Sequence, residues 1–161
     1  MEAAARPAAA ADLPRLVELI NAAIAELQPT RGGALYARRE ARPDPSVAGL
    51  RSLVDDDSSA AFVGTIDDTA MGVATVRLEE LRDGGRLAVV DELYVEEGAR
   101  GVGVGEAMMN AVLAWAAARD CEGVDAMVLP GNRETKNFYE SFGLTARAIV
   151  VHRRLAPEPP E

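Results

Sequence analysis

Val89-Val90-Asp91-Glu92-Leu93-Tyr94-Val95-Glu96-Glu97-Gly98-Ala99-Arg100-Gly101-Val102-Gly103-Val104-Gly105 runs from an apolar, β-branched stretch through an acidic turn into closely spaced glycines. Beyond it, Val104, Met108, Val112 and Trp115 recur at the spacing of one helix face, with Ala107, Ala111 and Ala116 beside them, which predicts a helix to about Arg119. The order strand, glycine loop, helix matters more than the glycines alone. The first turn of a helix leaves N–H groups unpaired at the positive end of the dipole, so an anion is stabilised there. Glycine lets the backbone approach phosphate oxygens that a Cβ would hold off. Arg100 adds a positive charge able to pair with a phosphate oxygen. The loop therefore reads as a seat for a pyrophosphate.

Two other phosphate-binding patterns fail on spacing. A P-loop requires Gly, four residues, then Gly-Lys-Ser/Thr; Gly98 and Gly103 are correctly spaced, but Val104-Gly105 replaces the lysine and hydroxyl. A dinucleotide fingerprint needs Gly-x-Gly-x-x-Gly at the first strand of a βαβ unit, whereas Gly101-Val102-Gly103-Val104-Gly105 follows several strands and lacks that spacing.

Working upstream, Arg86 to Val95 is the last of three strand-like runs. Ala60 to Ile66 and Ala70 to Leu78 precede it, separated by Asp67-Asp68-Thr69, and Asp83-Gly84-Gly85 supplies the second turn. Together they predict an antiparallel meander. Before them, Leu13, Leu16, Val17, Ile20, Ala23, Ile24 and Leu27 mark one helix face, with Asp12 as the expected cap, Pro14 in the first turn and Pro29 past the end. Ala3 to Arg6 reads as a short edge strand. Gln28 to Pro45 is polar and Arg-rich, a loop that serves either as a substrate-binding lid or as a plain connection, and a second helix is expected from about Ser46 to Val54.

Downstream, Val124 to Leu129 reads as a buried strand, Arg133 to Ser141 as a short helix and Leu144 to Leu155 as a final strand. The expected fold is mixed α/β: a central mixed sheet of six to seven strands, meander first, flanked by about four helices. One domain is expected over residues 1–155, followed by a disordered Pro- and Glu-rich tail over 156–161.

Composition narrows the function. The 161 residues can bury a sizeable core without disulfides or a structural metal, and no run of about 18 apolar residues spans a bilayer. The start Met1-Glu2-Ala3-Ala4-Ala5-Arg6 lacks a secretory pattern, so a cytoplasmic location is expected. Net charge −9 argues against nucleic acid as a partner and would attract a cationic amine. With one cysteine, Cys121, and one histidine, His152, no Cys/His zinc cluster is expected, and metal sites are set at none.

Arg-x-x-Gly-x-Gly at Arg100, Gly103 and Gly105, after a strand that follows a meander, resembles the acetyl-CoA motif of the GNAT superfamily of N-acetyltransferases. Roughly thirty residues downstream, Asn132-Arg133-Glu134-Thr135-Lys136-Asn137-Phe138-Tyr139-Glu140-Ser141-Phe142-Gly143-Leu144 resembles the second cofactor motif of that family. Asn132 is placed to cap the short helix and Gly143 to end it. Thr135 stands where the family usually has a small residue, and Leu144 where it has Phe. The resemblance covers roughly residues 60 to 155.

What it implies can be placed residue by residue. Acetyl-CoA would be a co-substrate, with its pantetheine arm against the backbone of Leu93, Tyr94 and Val95. Its pyrophosphate would lie on Arg100, Gly101, Val102, Gly103, Val104, Gly105 and Glu106, and further contacts would come from Asn132, Asn137 and Tyr139. Tyr139 matches the tyrosine that commonly serves the CoA sulfur, though it also suits helix packing. The base positions of two branches of the family fall on Ala88 and near Met127, neither acidic. Strand alternation puts Ala88, Val90, Glu92 and Tyr94 on one face, which makes Glu92 the leading candidate for the base. Asp91 and His152 receive no role. The expected activity is acetyl transfer to a primary amine of a small molecule or protein by direct attack in a ternary complex, with a non-catalytic acetyl-CoA sensor as the alternative. Relatives also make a homodimer a plausible assembly.

Overall fold

The computed structural model describes residues 1–157. Strand β1 (Ala3–Pro7) passes through a 3-10 turn at Ala10–Asp12 into α1 (Leu13–Leu27). Pro14 sits in the first turn of α1, where its missing N–H removes no intrahelical bond. Asp12 does not cap α1 with its side chain. Its carboxylate accepts the Ala9 N–H at 2.8 Å and is gripped by Arg6 at 2.7 and 2.8 Å, fixing the corner between β1 and α1.

The Arg6 hydrogen bond lowers the Asp12 carboxyl from 3.8 to about 2. A carboxyl depressed by folding contributes stability that is present above its unfolded value and lost as pH falls through its folded one. Asp12→Asn is therefore expected to lower the thermal midpoint at pH 7, with the two proteins converging as pH drops from 3.8 to about 2. A gap of constant size across that window, measured by thermal melts, would contradict the assignment.

The stretch after α1 is not the loop expected from its polar composition. Gly32, at φ +81°, turns the chain into α2 (Gly33–Arg39), about two turns built largely from good helix formers. The single helix expected near 46–54 is split at Arg51 into α3 (Val47–Leu50) and α4 (Ser52–Asp55). Ser46 caps α3 by accepting the Gly49 N–H at 3.1 Å.

The meander forms as expected: β2 (Ser59–Ile66), β3 (Thr69–Glu80) and β4 (Arg86–Val95) pair antiparallel in sequence order. Asp67 and Asp68 both have positive φ, 47° and 66°, the twist that suits a two-residue hairpin turn. After a 3-10 turn at Glu97–Ala99, α5 (Val104–Ala118) crosses over the sheet to β5 (Gly123–Ala126), which lies parallel to β4. Then comes α6 (Arg133–Ser141). The sheet order is β1-β2-β3-β4-β5, mixed because only the last pair is parallel.

This is the mixed α/β architecture expected, with five strands among the described residues in place of six or seven and six α-helices in place of about four. The final strand expected over Leu144 to Leu155 does not form: these residues adopt no regular secondary structure and pair with no strand among the described residues. Ile149, Val150, Val151 and Leu155 are 82–89% exposed, and the Arg147 ion pair with Asp125 is the link back to the sheet. An apolar, β-branched pattern favours an extended backbone, but a strand also needs a neighbour, and β5 offers four residues of edge. The tail expected at 156–161 lies largely outside the described residues. His152 is exposed on the same irregular segment.

Two apolar clusters hold the sheet between its helices. On one face, Val104, Met108, Val112 and Trp115 of α5 meet Phe62, Ala74, Val76, Ala88 and Val90. On the other, Leu13, Leu16, Leu19 and Ile20 of α1, with Leu50 and Leu53, meet Ala61, Val63 and Val73. The cross-strand pair Gly64 and Gly72 makes a notch for the start of α5. A Cβ on Gly64 would lie 2.5 Å from Val104 Cγ1, and one on Gly72 would lie 2.8 Å from Met108 Cε. That notch lets the first turn of α5 sit tightly against the sheet beside the end of β4. Cys121 is partly buried, and burial pushes its thiol up, away from thiolate chemistry. Among the described residues, no helix is long and apolar enough to cross a membrane.

Candidate active site

Strands β4 and β5 part company. Their ladder runs from Leu87 and Gly123 to Val90 and Ala126 and stops there. Beyond it, Asp91 to Val95 continue as strand on β4, whereas Met127 to Leu129, expected to be strand, leave the sheet. The wedge between them is a cleft of about 400 Å³, with the glycine loop at one end and Tyr36, Asp91, Glu92 and Tyr139 among its other lining residues. On the β5 side, residues 91–95 have no ladder partner.

The loop is shaped for an anion by its backbone. Gly101 and Gly103 have φ of +83° and +99°, values that residues with a Cβ rarely adopt, and they turn the chain abruptly from β4 into α5. The first helical bond at this end runs from the Ala107 N–H to Gly103 O at 3.0 Å, so the N–H groups of Val104, Gly105 and Glu106 precede any intrahelical partner. Gly103→Val would force a β-branched residue into a left-handed conformation. It is expected to weaken acetyl-CoA binding by tenfold or more in a calorimetric titration, and affinity within twofold of wild type would remove the loop from the site.

The Arg100 side chain does something other than expected. Its Nε donates to Val95 O at 2.8 Å, and its two terminal nitrogens grip the Glu26 carboxylate at 2.9 and 2.8 Å. The guanidinium carbon also lies 5.4 Å from the centre of the Tyr94 ring. Arg100 thus ties α1 to the end of β4. That leaves the backbone N–H groups and the helix dipole as what the loop offers an anion.

At the other end, a β-bulge overturns the simple alternation along β4. Thr75 pairs with Glu92, but the next residue of β3, Val76, pairs with Val90, so Asp91 and Glu92 together stand opposite Thr75. Ala88 and Val90 before the bulge, and Leu93 and Val95 after it, pack toward α5, while Tyr94 packs toward α1. Glu92 therefore does not share a face with Ala88 and Val90.

The Glu92 carboxylate is fully engaged. Arg42 Nε and Nη2 donate to its two oxygens at 2.8 Å each, and the Thr75 hydroxyl donates to Oε2. The Thr75 oxygen in turn accepts the Glu92 N–H at 3.1 Å. Both side chains of the ion pair are covered, at 17% and 6% exposure. This pair bolts the segment after α2 onto β4 and so fixes Tyr36, which is half-buried and lines the cleft.

Tyr139 is 6% exposed and lines the cleft from α6, its ring edge-on to Phe138. Burial, with Tyr36 adding to it, raises its hydroxyl well above the ordinary phenol value, so it remains a proton donor at neutral pH. Asn132 caps α6 as expected, accepting the Thr135 N–H at 3.3 Å, and Gly143, at φ +86°, ends it.

Residues 19–144 match the family model described as Acetyltransferase (GNAT) family. The chain belongs to the GNAT acetyltransferase family. A search of the curated proteins finds no match. Among solved structures, a tetramutant of the BH1408 protein from Bacillus halodurans is similar at 18% identity and TM-score 0.80, over 94% of this chain and 99% of that one. Glucosamine-6-phosphate N-acetyltransferase from Arabidopsis thaliana is similar at 19% identity and TM-score 0.65, over 97% and 100%. AAC(6')-Iy in complex with the bisubstrate analog CoA-S-monomethyl-acetylneamine gives 17% identity and TM-score 0.72, over 98% and 100%. At these identities the likeness is one of fold.

In this GNAT chain the cleft gathers Glu92, Leu93, Tyr94, Val95, Arg100, Gly101, Gly103, Val104, Gly105, Glu106, Asn132 and Tyr139. Val102 and Asn137, also expected at the cofactor, are exposed and do not line it. The sequence reading missed Tyr36, Arg42 and Thr75 as parts of the site. No local signal singles out one arginine in a stretch that also holds Arg31, Arg38 and Arg39, because its partner lies fifty positions away.

Proposed function

We propose that this chain transfers the acetyl group of acetyl-CoA to a primary amine by direct attack in a ternary complex. One observation supports the reading above others: a single open wedge joins the unpaired N–H groups of a helix start to Tyr139, whose ring is buried and whose hydroxyl has no protein partner among the described residues. The residues present suit the donor. Unpaired N–H groups of Val104, Gly105 and Glu106 can hold a pyrophosphate, and the unladdered backbone of Leu93 to Val95 can hydrogen-bond an amide-bearing arm. The donor supplies a thioester carbonyl that a neutral amine can attack. Tyr139, protonated at neutral pH as any phenol is and pushed further up by burial, can supply a hydroxyl proton at the cleft wall. Glu92, fully paired, is better suited to holding α2 and Tyr36 in place than to accepting a proton.

Initial rates of thiol release, with acetyl-CoA and a primary amine both varied, test the proposal. Intersecting double-reciprocal lines are expected for direct attack. Parallel lines would indicate an acetylated enzyme, and acetyl-CoA binding without thiol release over any amine would indicate a sensor.

A further inference from the structure

The bulge puts a second carboxylate on the face that carries Glu92, and this one is not locked. Asp91 is the extra residue of β4 opposite Thr75, and it lines the cleft. Its side chain is 34% exposed and meets Arg77 at 3.1 Å, a contact made by one nitrogen of a half-exposed arginine. Bulges re-aim side chains in this way beside reactive centres. Independently, Tyr139 lines the same cleft and is 6% exposed, yet its hydroxyl is bonded to no protein group among the described residues, none of which has a side-chain N or O both buried and unpaired, so that oxygen is accessible. A hydroxyl that has no protein partner and stays accessible on an otherwise buried ring is free to meet a ligand atom.

Charge further narrows what the cleft can take. Among the described residues, Arg100 is the one cation lining it, and Arg100 is already committed to Glu26. Glu106 and Glu134 line it as well. A ligand carboxylate would find no free cation, whereas an ammonium would find Asp91.

Resting on the acetyltransferase reading above, we infer that Asp91 binds the ammonium of the amine acceptor and removes its first proton, and that the site selects cationic primary amines without a neighbouring carboxylate. The proton balance closes. The ammonium gives one proton to the Asp91 carboxylate, which releases it to solvent. The freed lone pair forms the bond to the acetyl carbon as the carbon–sulfur bond breaks. Tyr139 protonates the leaving sulfur and is recharged by the second proton of the nitrogen. Burial, then Glu92, raise the Asp91 carboxyl while Arg77 and Arg42 lower it, with the net effect upward; Tyr36 is the other titratable group nearby. A carboxylate above its ordinary range is a better proton acceptor from an amine.

The test reads binding apart from turnover. Alaninamide and alanine share a side chain and differ in the carboxylate, and calorimetry on the CoA-loaded protein compares them. Alaninamide is expected to bind at least tenfold tighter than alanine to the wild type and at least tenfold weaker to Asp91→Asn, with partial recovery in Asp91→Glu. CoA affinity and thermal midpoint should stay within error in both variants, which separates this role from a structural one. Equal binding of the two ligands, no binding of alaninamide, or an Asp91→Asn protein that binds it as wild type does would overturn the inference. Thiol release in parallel reports on acetyl transfer itself, so failure of that reading is seen separately.

Discussion

Tyr139→Phe is expected to lower kcat by about a hundredfold, the low end of what a positioned general acid contributes. Acetyl-CoA affinity should remain within about twofold, because the ring keeps its edge contact with Phe138 and only the hydroxyl is lost. The expectation follows from three facts acting together. Tyr139 lines the cleft, its hydroxyl has no partner among the described residues, and, like any phenol, it keeps its proton through neutral pH, the more firmly because burial raises it. A loss confined to transition-state stabilisation appears as equal falls in kcat and kcat/KM. An unchanged kcat would assign Tyr139 to packing alone.

Arg42→Ala, which removes the partner of the cleft-lining Glu92, is expected to cause a large loss of stability. It strands the Glu92 carboxylate in a residue 8% exposed, with the Thr75 hydroxyl as its remaining side-chain partner. Removing one member of a buried pair costs about 3–5 kcal/mol, which for a domain of this size is on the order of 10 °C in thermal midpoint. Replacing both members with apolar residues of similar volume, Arg42→Met with Glu92→Leu, should recover much of that loss, since neither charge is then left unpaired. A single variant that melts with the wild type would mean that the pair does not anchor the α2 segment. Because Tyr36 rides on that segment, a weakened amine KM is expected alongside the lower midpoint.

Much of this molecule was legible from its sequence, for identifiable reasons. The meander is encoded by short-range alternation and turn residues such as Asp67-Asp68, and the helix after the glycine loop by the repeat of Val104, Met108, Val112 and Trp115. Asn132 and Gly143 act locally, within one turn of their own positions, and so could be read locally. What escaped depended on partners far along the chain. The bulge at Asp91 exists because β3 and β4 slip by one residue between Thr75 and Val76, and nothing in either strand's composition announces it. Once β4 is bulged, period-two alternation assigns Glu92 to the wrong face, and the carboxylate that looked free is the one held by Arg42. Arg100 was read as a phosphate ligand because charge and motif agreed, yet Glu26, 74 positions earlier, takes its guanidinium. The apolar run after Gly143 has the pattern of a strand without a neighbour to make it one.

The central claim is that the wedge between β4 and β5 brings a thioester and an amine together. Incubating the protein with acetyl-CoA and a panel of primary amines, with mass spectrometry of both products, measures this directly. The account predicts one N-acetylated amine for each CoA released. CoA released without acetylated amine, or acetyl-CoA bound and recovered intact across the panel, would contradict it.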